Sequence, residues 1–212
     1  MYDKTKIHIN KEVKEIEKQL NSYINSEQNT INEACQYLLT SGGKRIRPLF
    51  TLIASQFGEH YSRDVITVAT TLELIHMASL VHDDVIDKSD KRRGKPTIAK
   101  KWDVQTAVIT GNYLLSQSLN AVSQIEHPKL HEQLANGIIE VCRGELFQFE
   151  DQFVSNESIT NYLRRIKRKT ALLISLSTEL GAYAARADDE TVNKLTKIGY
   201  YIGMSYQIVD DI

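Results

Sequence analysis

The stretch Asp83-Asp84-x-x-Asp87 concentrates three carboxylates. On a helix of 3.6 residues per turn, Asp83 and Asp87 share a face and Asp84 is offset by about 100°. All of them border one small volume. The pattern stands late in a helical stretch, where the macrodipole disfavours negative charge. Two arrangements offset that repulsion. Lys88 and Lys91 each follow an Asp by four residues and can form surface ion pairs. Alternatively, the carboxylates share a divalent cation. Their oxygens are hard ligands suited to Mg²⁺, an ion that keeps waters and is commonly shared with substrate phosphates. The spacing is not that of an EF-hand loop.

A phosphate on such an ion needs cations nearby. Arg92-Arg93 lies five residues beyond Asp87, and Lys44-Arg45-x-Arg47 follows a Gly-Gly pair. Each alone reads as a solvated basic loop. Together with the acidic cluster, they are the chemistry of a metal-bridged diphosphate. A second acidic pair occurs in Gln207-x-x-Asp210-Asp211, and it suggests two carboxylate banks facing each other across a cavity. Other features read more blandly. A lone His76 on an apolar helix is more often a satisfied core residue. Leu163, Ile166 and Leu172 interleave the basic run at 164–169 with helical spacing, so that run is a solvated helix face. Tyr200, Tyr201 and Tyr206 read as core. No Ser/His/Asp or Cys/His arrangement for nucleophilic catalysis stands out.

The elements that must position these groups are helices. Val13, Ile16, Leu20 and Ile24 are spaced by three and four, as are Ile31, Ala34, Cys35, Leu38 and Leu39. Ser41-Gly42-Gly43 stops the second helix, Pro48 suits the first turn of a third, and Gly58 its end. Ser62 can cap a longer helix, apolar on more than one face and therefore central, that runs to about Asp87. Lys88 to Pro96 reads as a loop. Helical patterns resume over 104–125, 128–153, 159–185 and 190–212. The expectation is an all-α antiparallel bundle of about eight helices, with 1–212 as a single domain.

Composition agrees. The 212 residues include ten Gly and only three Pro, fewer than a turn-rich β fold would use. Apolar residues make up 42% and charged residues 25%, which excludes disorder. Lys plus Arg is 26 against 27 Asp plus Glu, so nothing global attracts nucleic acid or an anionic membrane. Cys35 and Cys142 read as reduced core thiols of a cytoplasmic protein. No signal peptide is visible, and no apolar run approaches the roughly 18 residues of a membrane span.

With these residues in view, the sequence resembles the trans-isoprenyl diphosphate synthases, or polyprenyl synthetases. The matching stretches are Gly42-Gly43-Lys44-Arg45-Ile46-Arg47-Pro48 and residues 73–87, which include His76-Met77-Ala78-Ser79 and His82-Asp83-Asp84-Val85-Ile86-Asp87. They continue with Arg92-Arg93-Gly94, Gly111-Asn112-Tyr113-Leu114, Gly144-Glu145, Lys169-Thr170 and Tyr206-Gln207-Ile208-Val209-Asp210-Asp211. The resemblance covers nearly the whole chain from about residue 10. Within the family, the likeness is to the large catalytic subunit of two-component synthases.

The resemblance implies an isoprenoid synthase bundle around a central cavity. It implies that Asp83, Asp84 and Asp87 bind Mg²⁺ on an allylic diphosphate, and that Arg92 contacts the same diphosphate. Lys44, Arg47, His76 and Arg93 match the site for isopentenyl diphosphate. Lys169, Thr170 and Gln207 match residues near the allylic diphosphate and the reacting carbon. Gln148 lies where its helix should face the cavity, and Asp210 and Asp211 match the start of the second aspartate-rich motif. In the family that motif continues to a third Asp, so the reading expects a C-terminally incomplete domain. Its alternative is a non-catalytic subunit that binds prenyl diphosphate without turning it over.

Ala78 and Ser79, with Ile75 and Leu72 below them, trace a line of about 16 Å back from the acidic motif. Short-chain relatives carry bulky aromatics there. Small residues imply a longer product, hexaprenyl to octaprenyl with heptaprenyl favoured, from farnesyl diphosphate as primer. The resemblance also implies a homodimer or a heterodimer with a small unlike subunit. It implies a role in quinone side-chain synthesis such as that of menaquinone, and membrane contact during product release.

Overall fold

Wherever apolar residues recur at three and four, the chain is helical. The computed structural model describes residues 2–58, 63–151 and 158–212, with the side chains of 2–8, 10, 145–151 and 169 outside the description. Among the described residues are ten α-helices, one π-helical segment and a two-stranded hairpin. The all-α expectation holds. The backbone divides into two compact units, Met1–Pro48 with Ala69–Ile125, and Leu49–Val68 with Glu126–Ile212.

The first unit contains α1 (Tyr2–Tyr23), α2 (Asn29–Thr40), the start of α3 (Ile46–Ser55) and most of α4 (Arg63–Ile86). It continues through strands β1 (Lys91–Arg92) and β2 (Lys95–Pro96) to α5 (Ile98–Lys101) and α6 (Val104–Val122). Ile16 and Leu20 of α1 are fully buried, as their spacing requires. Leu72, Leu74, Ile75, Met77, Ala78 and Val81 bury different faces of α4. Each such Leu or Ile contributes about 1.5–3 kcal/mol. By length and apolarity alone α4 could cross a membrane, which corrects the expectation that no run qualifies; its burial makes it a core helix. Ser62, the expected cap of α4, lies outside the described residues.

Ala34, Val81, Ile98 and Ala107 form a cluster joining α2, α4, α5 and α6, with Tyr37, Val85 and Trp102 packed against it. Val81 and Val85 flank the acidic motif, so this cluster fixes where the end of α4 points. The expected loop at 88–96 contains a hairpin instead. Lys91 pairs with Pro96 and Arg92 with Lys95. Arg93 (φ 52°) and Gly94 (φ 78°) are both left-handed, as a two-residue turn between twisted strands requires.

The second unit holds the rest of α3, the first residues of α4, and α7 (Pro128–Asp151) and α8 (Ile159–Ile166). A π-helical segment (Lys167–Ala171) then leads into α9 (Leu172–Ala184), and α10 is Asp189–Asp210. The single helix expected over 159–185 is thus interrupted at the π segment. Ser175 Oγ donates to Thr196 O, and Thr178 Oγ1 to Leu195 O, each at 2.9 Å, tying α9 to α10. Side chains at Gly144 and Gly203 would collide with Arg168 and Ala171, so both glycines let neighbouring helices reach the π segment closely.

Candidate functional site

At the end of α4, Asp83 is half-buried, and its Oδ1 is enclosed without a hydrogen-bond partner. Asp84 is buried, while Asp87 is exposed. Arg92 Nε and Nη2 both donate to Asp84 Oδ1, each at 2.8 Å. Burial raises the Asp84 carboxyl above the usual range, Arg92 pulls it down, and the charges of Asp83 and Asp87 push it up again. The ion partner of Asp84 is therefore Arg92, and not the Lys88 that helical spacing suggested. α4 ends at Ile86 and Lys88 turns left-handed (φ 49°), so the i, i+4 relation does not continue.

The hairpin that brings Arg92 back is held on several sides. Tyr37 Oη donates to Pro96 O at 2.8 Å, and Thr97 Oγ1 donates to Ser89 O at 2.8 Å. Lys101 Nζ lies 3.9 Å over the Tyr37 ring and 4.4 Å over the Trp102 ring. Arg93 Nη1 donates to Gly42 O, which joins the hairpin to the loop after α2. That loop needs its glycines. Gly42 has φ 87°, and a Cβ on Gly43 would lie 2.9 Å from Arg93 Nη1.

Arg45 turns inward from this loop. Its Nη1 donates to Glu73 Oε1 at 2.9 Å and its Nη2 to Leu39 O at 3.1 Å. Arg47 is half-buried and Lys44 exposed. His76, two turns before Asp83 on α4, has an Nδ1 that is buried without a partner. Burial, then the charges of Arg47, Arg93, Arg92 and Arg45, hold its imidazole well below the usual histidine range. The unpartnered Nδ1 corrects the reading of His76 as a satisfied core residue.

This histidine carries a sign for pH dependence. It stays neutral in the folded chain and takes up a proton on unfolding below its ordinary value of 6.5. The unfolded state then binds more protons, so stability present above pH 6.5 is lost as pH falls. The slope approaches about 1.4 kcal/mol per pH unit. His76→Gln is expected to flatten the decline in melting temperature between pH 6.5 and about 5. An unchanged slope would show that His76 is not the group titrating.

Asp83, Asp84, Asp87, Arg92, Arg93, Arg47 and His76 are thus brought together within the first unit. Among the described residues, no three His, Cys, Asp or Glu side chains stand arranged as a ready metal cage. The enclosed, unpartnered Asp83 oxygen beside the like-charged Asp84 and Asp87 nonetheless fits a divalent cation. Leu72, Ile75 and Ala78 are buried, and half-buried Ser79 donates from Oγ to His76 O at 2.9 Å.

In the second unit, Thr170 Oγ1 donates to Gln207 Oε1, and Gln207 Nε2 donates to Asp211 Oδ1 at 2.8 Å. Tyr162 Oη donates to Asp211 Oδ2 at 3.0 Å. The π segment presents Thr170 to α10, a placement common at functional sites. Asp210 is exposed. Lys169 and Gln148, both expected in the site, have side chains outside the described residues. Sequence reasoning gives Tyr162 no role, and it misses the inward turn of Arg45. Two further readings are corrected. Tyr201 and Tyr206 are exposed on α10, and Cys142 is exposed on α7 while Cys35 is buried.

The sequence model of a family described as polyprenyl synthetase matches residues 28–212. Heptaprenyl diphosphate synthase component 2 of Bacillus subtilis (strain 168) is 50% identical over 204 residues, 96% of this chain and 59% of that protein. The Geobacillus stearothermophilus protein of the same name is 50% identical over 93% of this chain and 62% of its own length. The chain thus spans about 60% of the length of these curated relatives. Among solved structures, the heptaprenyl diphosphate synthase of Staphylococcus aureus is 55% identical with a TM-score of 0.91, covering 96% of this chain and 64% of that one. A polyprenyl synthase from Caulobacter crescentus, complexed with calcium and isoprenyl diphosphate, is 28% identical with a TM-score of 0.93. It covers 100% of this chain and 64% of that one.

Proposed function

The chain belongs to the polyprenyl synthetase family, and from that premise we propose that the whole protein is a trans-polyprenyl diphosphate synthase. It condenses isopentenyl diphosphate with an allylic diphosphate, farnesyl diphosphate as primer, to a product of heptaprenyl length. The observation that carries this reading is the unpartnered Asp83 oxygen and the neutral His76 in one unit with Arg47, Arg92 and Arg93. An acidic bank and a basic bank side by side suit a diphosphate and its cation.

Asp83, Asp84 and Asp87 would hold a divalent cation, Mg²⁺ by the hardness of their oxygens, with Asp210 and Asp211 as the second bank. When bound, the cation neutralises the leaving diphosphate as a Lewis acid. Arg92 holds the allylic diphosphate. Lys44, Arg47 and Arg93 hold isopentenyl diphosphate, and His76 donates from a ring N–H to it. Lys169 and the Thr170–Gln207 pair orient the allylic side. The allylic C–O bond breaks, the isopentenyl double bond attacks the carbocation, and a proton is lost to the departing diphosphate.

Two relatives are named component 2, which supports a heterodimer with a small unlike partner subunit rather than a homodimer. The setting is the cytoplasm, with the product delivered to a membrane for quinone synthesis.

The reading is tested by incubating the full-length protein, with and without the small subunit, with farnesyl diphosphate and labelled isopentenyl diphosphate. Chromatography should show a product ladder ending near heptaprenyl. No product with the partner present would leave a prenyl-diphosphate-binding subunit as the better reading. Ser79→Phe places a ring one turn before Asp83. It is expected to shorten the main product by at least one isoprene unit; an unchanged ladder would place the growing chain elsewhere.

A further inference from the structure

Arg92 sits where a cation belongs. Its Nε and Nη2 both point at Asp84 Oδ1, and the Asp84 side chain is only 7% exposed. We propose that Arg92 is a built-in counter-cation of the acidic cluster, which competes with a divalent ion for Asp84 and moves to diphosphate when the two bind together. The inference rests on the synthase reading and adds an order to it.

The Nε–Nη2 edge of a guanidinium is one of its forks for an oxyanion, and here that edge is committed to Asp84. Bidentate engagement of a phosphate through the same edge requires Asp84 to let go. Charge gives the complementary half. Asp83, Asp84 and Asp87 repel one another within little more than a turn, and Arg92 is the cation shown to offset Asp84. An ion on Asp84 supplies that positive charge instead and frees Arg92. Asp83 Oδ1, enclosed without a partner, offers the ion a first oxygen that Arg92 does not occupy. A cavity of about 20 Å³ bordered by Asp84, Arg92, Leu80 and Thr97 gives room of the order of one water.

The hairpin extends the effect. Arg93 is bonded to Gly42 O, at the head of the loop that carries Lys44 and leads into Arg47 at the start of α3. Displacement of Arg92 therefore pulls on the basic loop as well. Cation and diphosphate bind cooperatively, and each alone binds weakly.

Binding of Mn²⁺ to the full-length protein, followed by the spin-resonance signal of the free ion, tests this with inorganic pyrophosphate absent or saturating. Arg92→Gln should bind Mn²⁺ about tenfold more tightly than wild type without pyrophosphate. It should also lose most of the tightening that pyrophosphate gives the wild type. Arg92→Lys, which keeps the charge but not the fork, should fall between. If Arg92→Gln binds Mn²⁺ no more tightly than wild type while Asp84→Asn weakens it, the competition is overturned and the cation site stands. If Asp84→Asn leaves Mn²⁺ binding unchanged, the cation site itself is overturned, and the competition with it.

Discussion

Asp84→Asn is expected to lower turnover on the order of 10³-fold, the scale seen when a fixed charge-stabilising group is removed from a reacting centre. Asp84 is the most enclosed of the three carboxylates, and it holds Arg92. The substitution removes a cation ligand and leaves the Arg92 anchor with a neutral amide. Asn can still accept one hydrogen bond from the guanidinium, so the fold should survive. The check is twofold. Labelled isopentenyl diphosphate incorporation should collapse, while the melting temperature moves by only a few degrees. A variant that keeps a tenth or more of wild-type turnover would remove Asp84 from the chemistry.

Glu73→Ala is expected to give the largest stability loss, about 3–5 kcal/mol. The side chains of Arg45 and Glu73 are 11% and 5% exposed. Truncating the acid leaves the Arg45 guanidinium enclosed without its counter-charge, donating to Leu39 O. For a chain of this size the cost corresponds to roughly 10 °C in melting temperature. The double variant Arg45→Met/Glu73→Leu should recover most of it, because removing both charges removes the desolvation penalty. A single variant that melts with the wild type would mean the pair is solvated and unimportant. The same pair fixes the loop that carries Lys44 and leads into Arg47 of α3, so Glu73→Ala should also raise the KM for isopentenyl diphosphate.

The helices were legible because burial on a helix leaves a period of three to four. Ile16, Leu20, Ile31, Cys35 and Leu39 are all buried at the predicted spacing. The acidic motif and both basic stretches were legible from residue type alone. What failed was the ion pairing that assumed α4 continues past Asp87. Lys88 and Lys91 are four residues past aspartates, but α4 stops at Ile86 and the chain returns through a hairpin, which delivers Arg92 instead. Arg45 and Arg47 look equivalent in sequence. A left-handed backbone at Arg45 (φ 47°) turns one of them onto Glu73, and no local pattern announces that. Gln207 and Asp211 form a true i, i+4 pair because α10 does continue there. The π segment at Lys167–Ala171 left no periodic trace, since one extra residue per turn merely shifts an apolar stripe.

The most direct test of the central claim is a divalent-cation titration of isopentenyl diphosphate incorporation at saturating farnesyl diphosphate, for wild type beside Asp84→Asn. The account predicts no turnover after chelation, full recovery with Mg²⁺, and no Mg²⁺ concentration at which the variant approaches wild type. Turnover that persists without a divalent cation, or a variant that matches wild type across the titration, would contradict it.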